Sequence, residues 1–189
     1  MRFFSALLVA GAALVSAAPI EDRQANPCFI IGNTALPKEV SDVAKTLQSR
    51  ITCSANAKTL SGVPDLTAGG VSFSSVDFTG KGTPLAFALD KFKTTEPLAQ
   101  NDLKKFQAEL DVYTATEAGI RSVGGNVAAI KVPKFFLSMQ VSRIQTAQGN
   151  PPKAAGLQVD HLLGKVTKNA PRESKALLDQ VTQLAKTLS

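Results

Sequence analysis

The sequence predicts a mainly α-helical protein, a helical bundle with a small β-hairpin or sheet beside it. Over residues 37–49 and again after residue 83, apolar side chains recur every three or four positions, as they do along one face of a helix. Between these regions, residues 58–79 are punctuated by glycine and proline and contain short β-rich runs. The 44% of hydrophobic residues is enough for a packed core, so we expect one globular domain at residues 28–189.

The N-terminus predicts export. Arg2 precedes an apolar run over residues 3–15, and Val15 and Ala17 place small residues where signal peptidase requires them. We therefore expect a signal peptide at residues 1–18, followed by a flexible tail at residues 19–27 and a secreted, extracellular product. The exact cleavage site stays open, as does a short propeptide ending at Arg23.

The two cysteines, Cys28 and Cys53, are expected to form a disulfide because thiols pair in the oxidising compartment of secreted proteins. A bond between them closes a loop that stabilises the fold by about 3 to 4 kcal/mol in the chain-entropy model. Two thiols and the one histidine are too few ligands for a structural zinc site, and no spacing recruits carboxylates. We predict neither a metal nor a cofactor.

The first elements follow from spacing and turn residues. Leu36, Val40 and Leu47 lie at helical intervals around Pro37, which predicts a helix at about residues 37–49. Residues 58–79 predict a hairpin or small sheet, with a bulge at residues 74–75, where the alternation slips by one position.

Helices are predicted for most of the remaining chain, and two stretches stay open between helix and strand. Residues 84–94 favour a helix capped by Thr83, although Leu85, Phe87 and Leu89 also alternate as in a strand. The clearest helix runs from Leu103 to just before the glycines at 124–125. The second open stretch, residues 131–147, favours a helix kinked at Pro133.

The C-terminal third is expected to end in two helices after a loop at residues 148–153. The first spans residues 157–168, and Pro171 opens the second. Phe136 and its apolar neighbours are too closely spaced to share one face, so a second layer must cover them, and we expect them to be core. A ligand cavity and an exposed docking patch are the alternatives for these side chains.

No residue pattern predicts catalysis, and we expect a protein that is not an enzyme. The single histidine, His161, stands next to Asp160, and adjacent residues point to different faces of a helix. Glu109 and Asp111 are expected to be solvated charges on the polar face of a helix. The paired glycines at 69–70 and 124–125 lack the order of phosphate-binding loops and predict turns.

The charge pattern limits the possible partners. The net charge of +6 falls to about +5 once Arg2 is removed with the signal peptide, and the lysines are scattered rather than clustered. No nucleic-acid-binding motif accompanies them, so nucleic acid is not an expected partner. No segment after the signal peptide is apolar enough to span a membrane. Sugar binding by aromatic stacking has little support in a chain with no Trp and one Tyr.

Six segments of the mature chain resemble the small secreted proteins of filamentous ascomycete fungi: Cys28–Asn33 (CFIIGN), Ser61–Asp65 (SGVPD), Gly70–Phe78 (GVSFSSVDF), Ile120–Gly125 (IRSVGG), Lys131–Phe136 (KVPKFF) and Arg143–Pro152 (RIQTAQGNPP). This resemblance implies a role at the fungal cell wall or at a host interface, and it supplies no catalytic or ligand-binding residues. We therefore expect a secreted, non-enzymatic interaction protein whose partner is a cell-wall polymer or a host protein. A looser similarity, to helical cell-wall proteins that bind lipids, implies the alternative of a carrier for an apolar ligand.

Overall fold

The computed structural model describes residues 26–188 and confirms the predicted fold class. The predicted signal peptide and the tail up to residue 25 lie outside the described residues. Six α-helices and three strands follow one another in this order: α1 (Lys38–Leu47), β1 (Thr52–Lys58), β2 (Pro64–Ala68), β3 (Val71–Ser72), α2 (Pro84–Lys91), α3 (Leu103–Ser122), α4 (Ala128–Ala147), α5 (Val159–Asn169) and α6 (Lys175–Lys186).

Helices α3 and α4 form the centre of the fold. Helix α4 packs against α2, α3 and α5, while α3 also contacts α1 and the strands β2 and β3. Helix α6 is peripheral and rests on α5 and α2. One continuous apolar core lies between these elements, so the chain folds around α3 and α4.

The two stretches that the sequence leaves open are both helical. Helix α2 begins at Pro84, and the Thr83 hydroxyl accepts a hydrogen bond from the amide of Ala86 at 3.3 Å, as expected for an N-cap. Helix α4 continues through Pro133. Because neighbouring helices cover α4 on several sides, its buried residues are not confined to one stripe, which explains the strand-like alternation in its sequence.

The apolar side chains of α4 are core, as predicted. Phe136, Leu137 and Met139 are each 0% exposed, and Phe135 is half-buried. An aromatic cluster extends this core toward the sheet, where the ring of Tyr113 contacts those of Phe73, Phe78 and Phe92.

The sheet has three antiparallel strands in the order β1-β2-β3. It begins at Thr52, six residues before the predicted β region at residues 58–79. Thr52 pairs with Thr67, and Cys53 pairs with Leu66. The prediction missed most of β1 because this strand is largely exposed and lacks an alternating apolar pattern.

Two local predictions are wrong. The bulge expected at residues 74–75 is part of a 3-10 helix, Phe73–Val76, whose first turn is closed when the amide of Ser75 donates to the Ser72 hydroxyl at 3.3 Å. The last helix begins at Lys175 and not at Pro171, because the Ser174 hydroxyl caps it by accepting from the amide of Leu177.

Candidate functional site

The predicted disulfide between Cys28 and Cys53 is present, with the two sulfur atoms 2.06 Å apart. It ties the segment before α1 to strand β1. The Ser122 hydroxyl holds the same segment by accepting hydrogen bonds from the amides of Ile31 at 3.2 Å and Gly32 at 3.1 Å. Gly32 has to be glycine here, because a Cβ atom would lie 2.2 Å from the carbonyl oxygen of Ser122. The N-terminal segment is therefore fixed against the end of α3.

Large apolar side chains are exposed on the N-terminal segment, on α1 and at the end of α3. Four large hydrophobic residues are prominently exposed among residues 26–188, and three belong to the N-terminal segment, α1 or the end of α3. They are Ile31 at 43%, Val43 at 43% and Val123 at 41% exposure. We call the surface formed by these three residues, together with Val40, the α1 face.

A groove of about 190 Å³ runs beside Val43, between α1, α3 and α4. Its apolar lining includes Val40, Val43, Ala44 and Ala118, and its polar lining includes Glu117 and Lys134. An apolar surface with charged groups at its base resembles the composition of protein-protein contact sites, where a water-excluded apolar centre is bordered by polar groups.

Glu117 is the most strongly held charge of this groove and is only 4% exposed. Its Oε1 accepts hydrogen bonds from Arg121 Nε at 2.9 Å and Nη2 at 2.7 Å, and its Oε2 forms an ion pair with Lys134. Burial favours the neutral carboxyl, but Lys134 and Arg121 outweigh it and hold the pKa of Glu117 below its ordinary value. The sequence contained one signal of this cluster, the spacing of four residues between Glu117 and Arg121.

The prediction that Glu109 and Asp111 are solvated is wrong, because they are 4% and 6% exposed. The sheet and two helices cover α3 so widely that it has almost no free polar face. Asp111 pairs with Arg50 at 3.1 Å and accepts from Gln107 at 2.9 Å, whereas the nearest cation to Glu109, Lys105, is 4.0 Å away. Burial raises the pKa of both carboxyl groups.

The other candidate residues are not brought together into a reactive site. His161 and Asp160 are exposed on α5, and the side chain of His161 forms no hydrogen bond or ion pair with any residue in the described range. Residues 69–70 and 124 form turns, as predicted. Between residues 26 and 188, no three His, Cys, Asp or Glu side chains are grouped so that they could hold a metal ion. None of the helices described in this range is long and apolar enough to cross a membrane.

These features define a class, a mainly helical domain with a small antiparallel sheet and one disulfide. The model of a domain family, the domain of unknown function DUF7143, matches residues 30–189, and the chain belongs to this family. No curated protein and no solved structure is similar enough to count as a match. The disulfide is consistent with an extracellular protein.

Proposed function

We propose that this chain is a secreted, non-enzymatic interaction protein of a filamentous fungus, acting at the cell wall or a host interface and binding a protein partner through the α1 face. The observation that carries the proposal is the exposure of Val43 beside a groove, together with the exposure of Ile31 before α1 and of Val123 at the end of α3, the helix that contacts α1. Exposed apolar side chains that lie close together are typical of binding surfaces, whereas single ones are common everywhere.

The groove beside Val43 supplies what a binding centre needs. The apolar residues on its walls offer area that loses water on contact, and the ion pair of Glu117 with Lys134 offers polar groups already held in position. A protein partner fits this surface better than a polysaccharide, because no aromatic side chain is among the residues that line the groove.

The alternative of a lipid carrier has less support. Five of the pockets formed by residues 26–188 are each open to solvent. Phe29, Phe73, Phe92 and Phe136 are 0% exposed and belong to a core of packed side chains. The phenylalanines that would line a carrier cavity therefore contact one another and their neighbours instead.

The proposal is tested by Val43→Asp with Leu157→Asp as its matched control, since Leu157 is the fourth exposed hydrophobic residue and lies outside the α1 face. The measurement is the fraction of purified protein retained by washed hyphal walls and by host apoplastic extract immobilised on beads. On whichever of the two materials retains the parent protein, Val43→Asp should lower retention about tenfold or more, as expected at an interface hot spot. Treating that material with protease should abolish retention of the parent. Circular dichroism checks that both variants fold.

Equal retention of the two variants would contradict the α1 face as the binding surface. Retention that survives protease treatment would contradict a protein partner.

The non-enzymatic part of the proposal is tested at His161. Replacement by Gln should leave retention, and any hydrolytic activity found, within about threefold of the parent, because no acid–base role is lost. A loss of activity without a loss of folding would show that the protein is an enzyme.

A further inference from the structure

Arg143 on α4 is the largest side chain that the fold buries completely, with 0% of the residue exposed. Its Nη1 donates to Gln140 Oε1 at 2.6 Å and to Thr94 Oγ1 at 3.3 Å. Its Nε and Nη2 donate to the main-chain carbonyl oxygen of Thr187 at 3.2 and 2.8 Å. A guanidinium has five N–H donors, so one hydrogen of Nη2 remains without a partner among the described residues.

All of these partners are neutral. No carboxylate between residues 26 and 188 forms an ion pair with Arg143. The carbonyl end of α6, at Thr187, supplies part of the missing negative charge through its dipole. A buried charge normally has an ionic partner, because removal from water costs several kcal/mol that neutral hydrogen bonds only partly offset. Burial lowers the pKa of Arg143, and the nearby Glu96 opposes this shift only in part.

A pocket of about 210 Å³ lies next to this guanidinium, between α2, α4 and α6. Two of the three residues that contact Arg143, Thr94 and Gln140, form part of its wall. Leu89 and Leu184 provide apolar surface, and Lys93 and Gln180 add hydrogen-bond donors. The pocket is therefore one side chain away from a positive charge that forms no ion pair with any carboxylate of residues 26–188.

We propose that this pocket binds a small organic carboxylate, whose negative charge lies beside Thr94 and Gln140 and whose short apolar chain lies against Leu89 and Leu184. The site goes beyond the proposed function and is built from α2, α4 and α6, none of which contributes a residue to the α1 face. Failure of one proposal therefore leaves the other untouched.

The shape and charge of the pocket favour this class of ligand. Its volume equals that of roughly seven water molecules, which suits a short-chain acid and is too small to enclose a long lipid. Lys93 already pairs with Asp90 at 2.6 Å, so the charge that attracts the ligand is that of Arg143. A neutral molecule of the same shape would gain the apolar contacts and not the electrostatic attraction.

The test compares hexanoate with 1-hexanol, its neutral analogue, by calorimetric titration of the purified chain. Leu184→Trp fills the pocket, and Gln183→Trp is the matched control because Gln183 is exposed on the same helix and does not line the pocket. Gln140→Glu places a carboxylate against Arg143 in nearly the same shape and so removes the need for an external anion, although it also removes the hydrogen bond from Gln140 Nε2 to the carbonyl oxygen of Phe92 at 2.9 Å.

The parent and Gln183→Trp should bind hexanoate saturably and at least about tenfold more tightly than 1-hexanol, the factor expected for one charge-assisted hydrogen bond. Leu184→Trp should weaken hexanoate binding about tenfold or more. Gln140→Glu, checked for folding by circular dichroism, should abolish the preference for the acid over the alcohol. The proposal is overturned if the parent shows no saturable binding or no preference for the acid. It is also overturned if a folded Leu184→Trp or Gln140→Glu behaves like the parent.

Discussion

Tyr113 donates a hydrogen bond from its hydroxyl to the main-chain carbonyl oxygen of Val76 at 2.6 Å, in the centre of the core. The bond joins α3 to the 3-10 helix that follows the sheet. Tyr113→Phe should lower the free energy of unfolding by about 1 to 3 kcal/mol, because it leaves a buried carbonyl without its partner. Urea unfolding followed by circular dichroism measures the change.

Thr114→Val is the control for this prediction. The Thr114 hydroxyl donates to the carbonyl oxygen of Leu110 within the same helix, so that oxygen keeps its main-chain hydrogen bond when the hydroxyl is removed. A Tyr113→Phe variant as stable as Thr114→Val would show that the bond to Val76 adds nothing.

Two helical glycines predict opposite effects of the same substitution. At Gly119 in α3, a Cβ atom would lie 2.7 Å from the carbonyl oxygen of Phe29 and 2.9 Å from both methyl groups of Val63. Gly119→Ala should therefore destabilise the fold by about 1 to 3 kcal/mol through overpacking. At Gly164 in α5 no atom lies within 4 Å of such a Cβ, and Gly164→Ala should stabilise by about 0.5 to 1 kcal/mol. Thermal unfolding of both variants distinguishes these signs, and a stabilised Gly119→Ala would contradict the close packing.

Two buried glutamates of α3 should respond oppositely to neutralisation. Glu117→Gln should cost about 3 kcal/mol at pH 7, because it leaves the buried side chain of Lys134 without its full partner. Glu109→Gln should raise the melting temperature at pH 7, because Glu109 is buried as a charge with no cation nearer than 4.0 Å. Each variant is the control for the other.

The pH dependence follows from the directions of the two pKa shifts. The pKa of Glu117 is lowered in the folded state, so its contribution is present above the unfolded value of about 4.3 and is lost as the pH falls through the folded value. The pKa of Glu109 is raised, so its ionised form destabilises the fold above the folded value, and this cost disappears on acidification. The Glu109→Gln effect should therefore shrink toward pH 4, whereas the Glu117→Gln effect should persist there and shrink only as the pH falls further, through the folded pKa of Glu117. A Glu109→Gln effect that stays constant with pH would contradict the assignment.

Neighbouring phenylalanines on α4 separate core from surface. Phe136→Ala should lower the free energy of unfolding by about 3 to 5 kcal/mol, because Phe136 is 0% exposed and its removal leaves a cavity. Phe135 is half-buried, with Lys134 Nζ 4.4 Å from its ring centre, and Phe135→Ala should cost clearly less. Chemical denaturation of both variants gives the comparison. Equal losses would contradict the difference in burial.

The disulfide predicts the thiol content of the purified protein. Denatured, unreduced chain should show no reactive thiol, and reduction should release those of Cys28 and Cys53. Replacing both by alanine should cost about 3 to 4 kcal/mol, the value for a closed loop of this length. Mass spectrometry after alkylation tests the first statement, and two labelled thiols before reduction would contradict it.

The helices could be predicted because their apolar spacing and caps are local features of the sequence. Thr83 before Pro84 marks the start of α2 correctly, and the regular spacing after Leu103 marks α3. The start of α6 was misplaced because Pro171 and Ser174 are both acceptable helix starts, and only the folded chain distinguishes them.

The sequence does not show in the same way which charged side chains are buried. Glu109 and Asp111 have neighbours in sequence that look solvated, and the elements that cover them are remote along the chain. The position of Arg143 depends likewise on Thr94 and Thr187, each more than forty residues away. Contacts between residues so far apart produce no periodic pattern in a single sequence. The pocket beside Arg143 could therefore be found only in the folded structure.

The hydrogen bonds from Arg143 to Thr187 have a consequence for the order of events during synthesis. A nascent chain that has emerged only as far as α5 lacks the Thr187 carbonyl that accepts from this guanidinium and lacks α6, which contacts α2. Arg143 in the central helix therefore lacks two of its hydrogen bonds until α6 has left the ribosome. Completion of the core therefore waits for α6, and a chain truncated after residue 170 should expose the apolar surface of α5 and α2 that α6 covers.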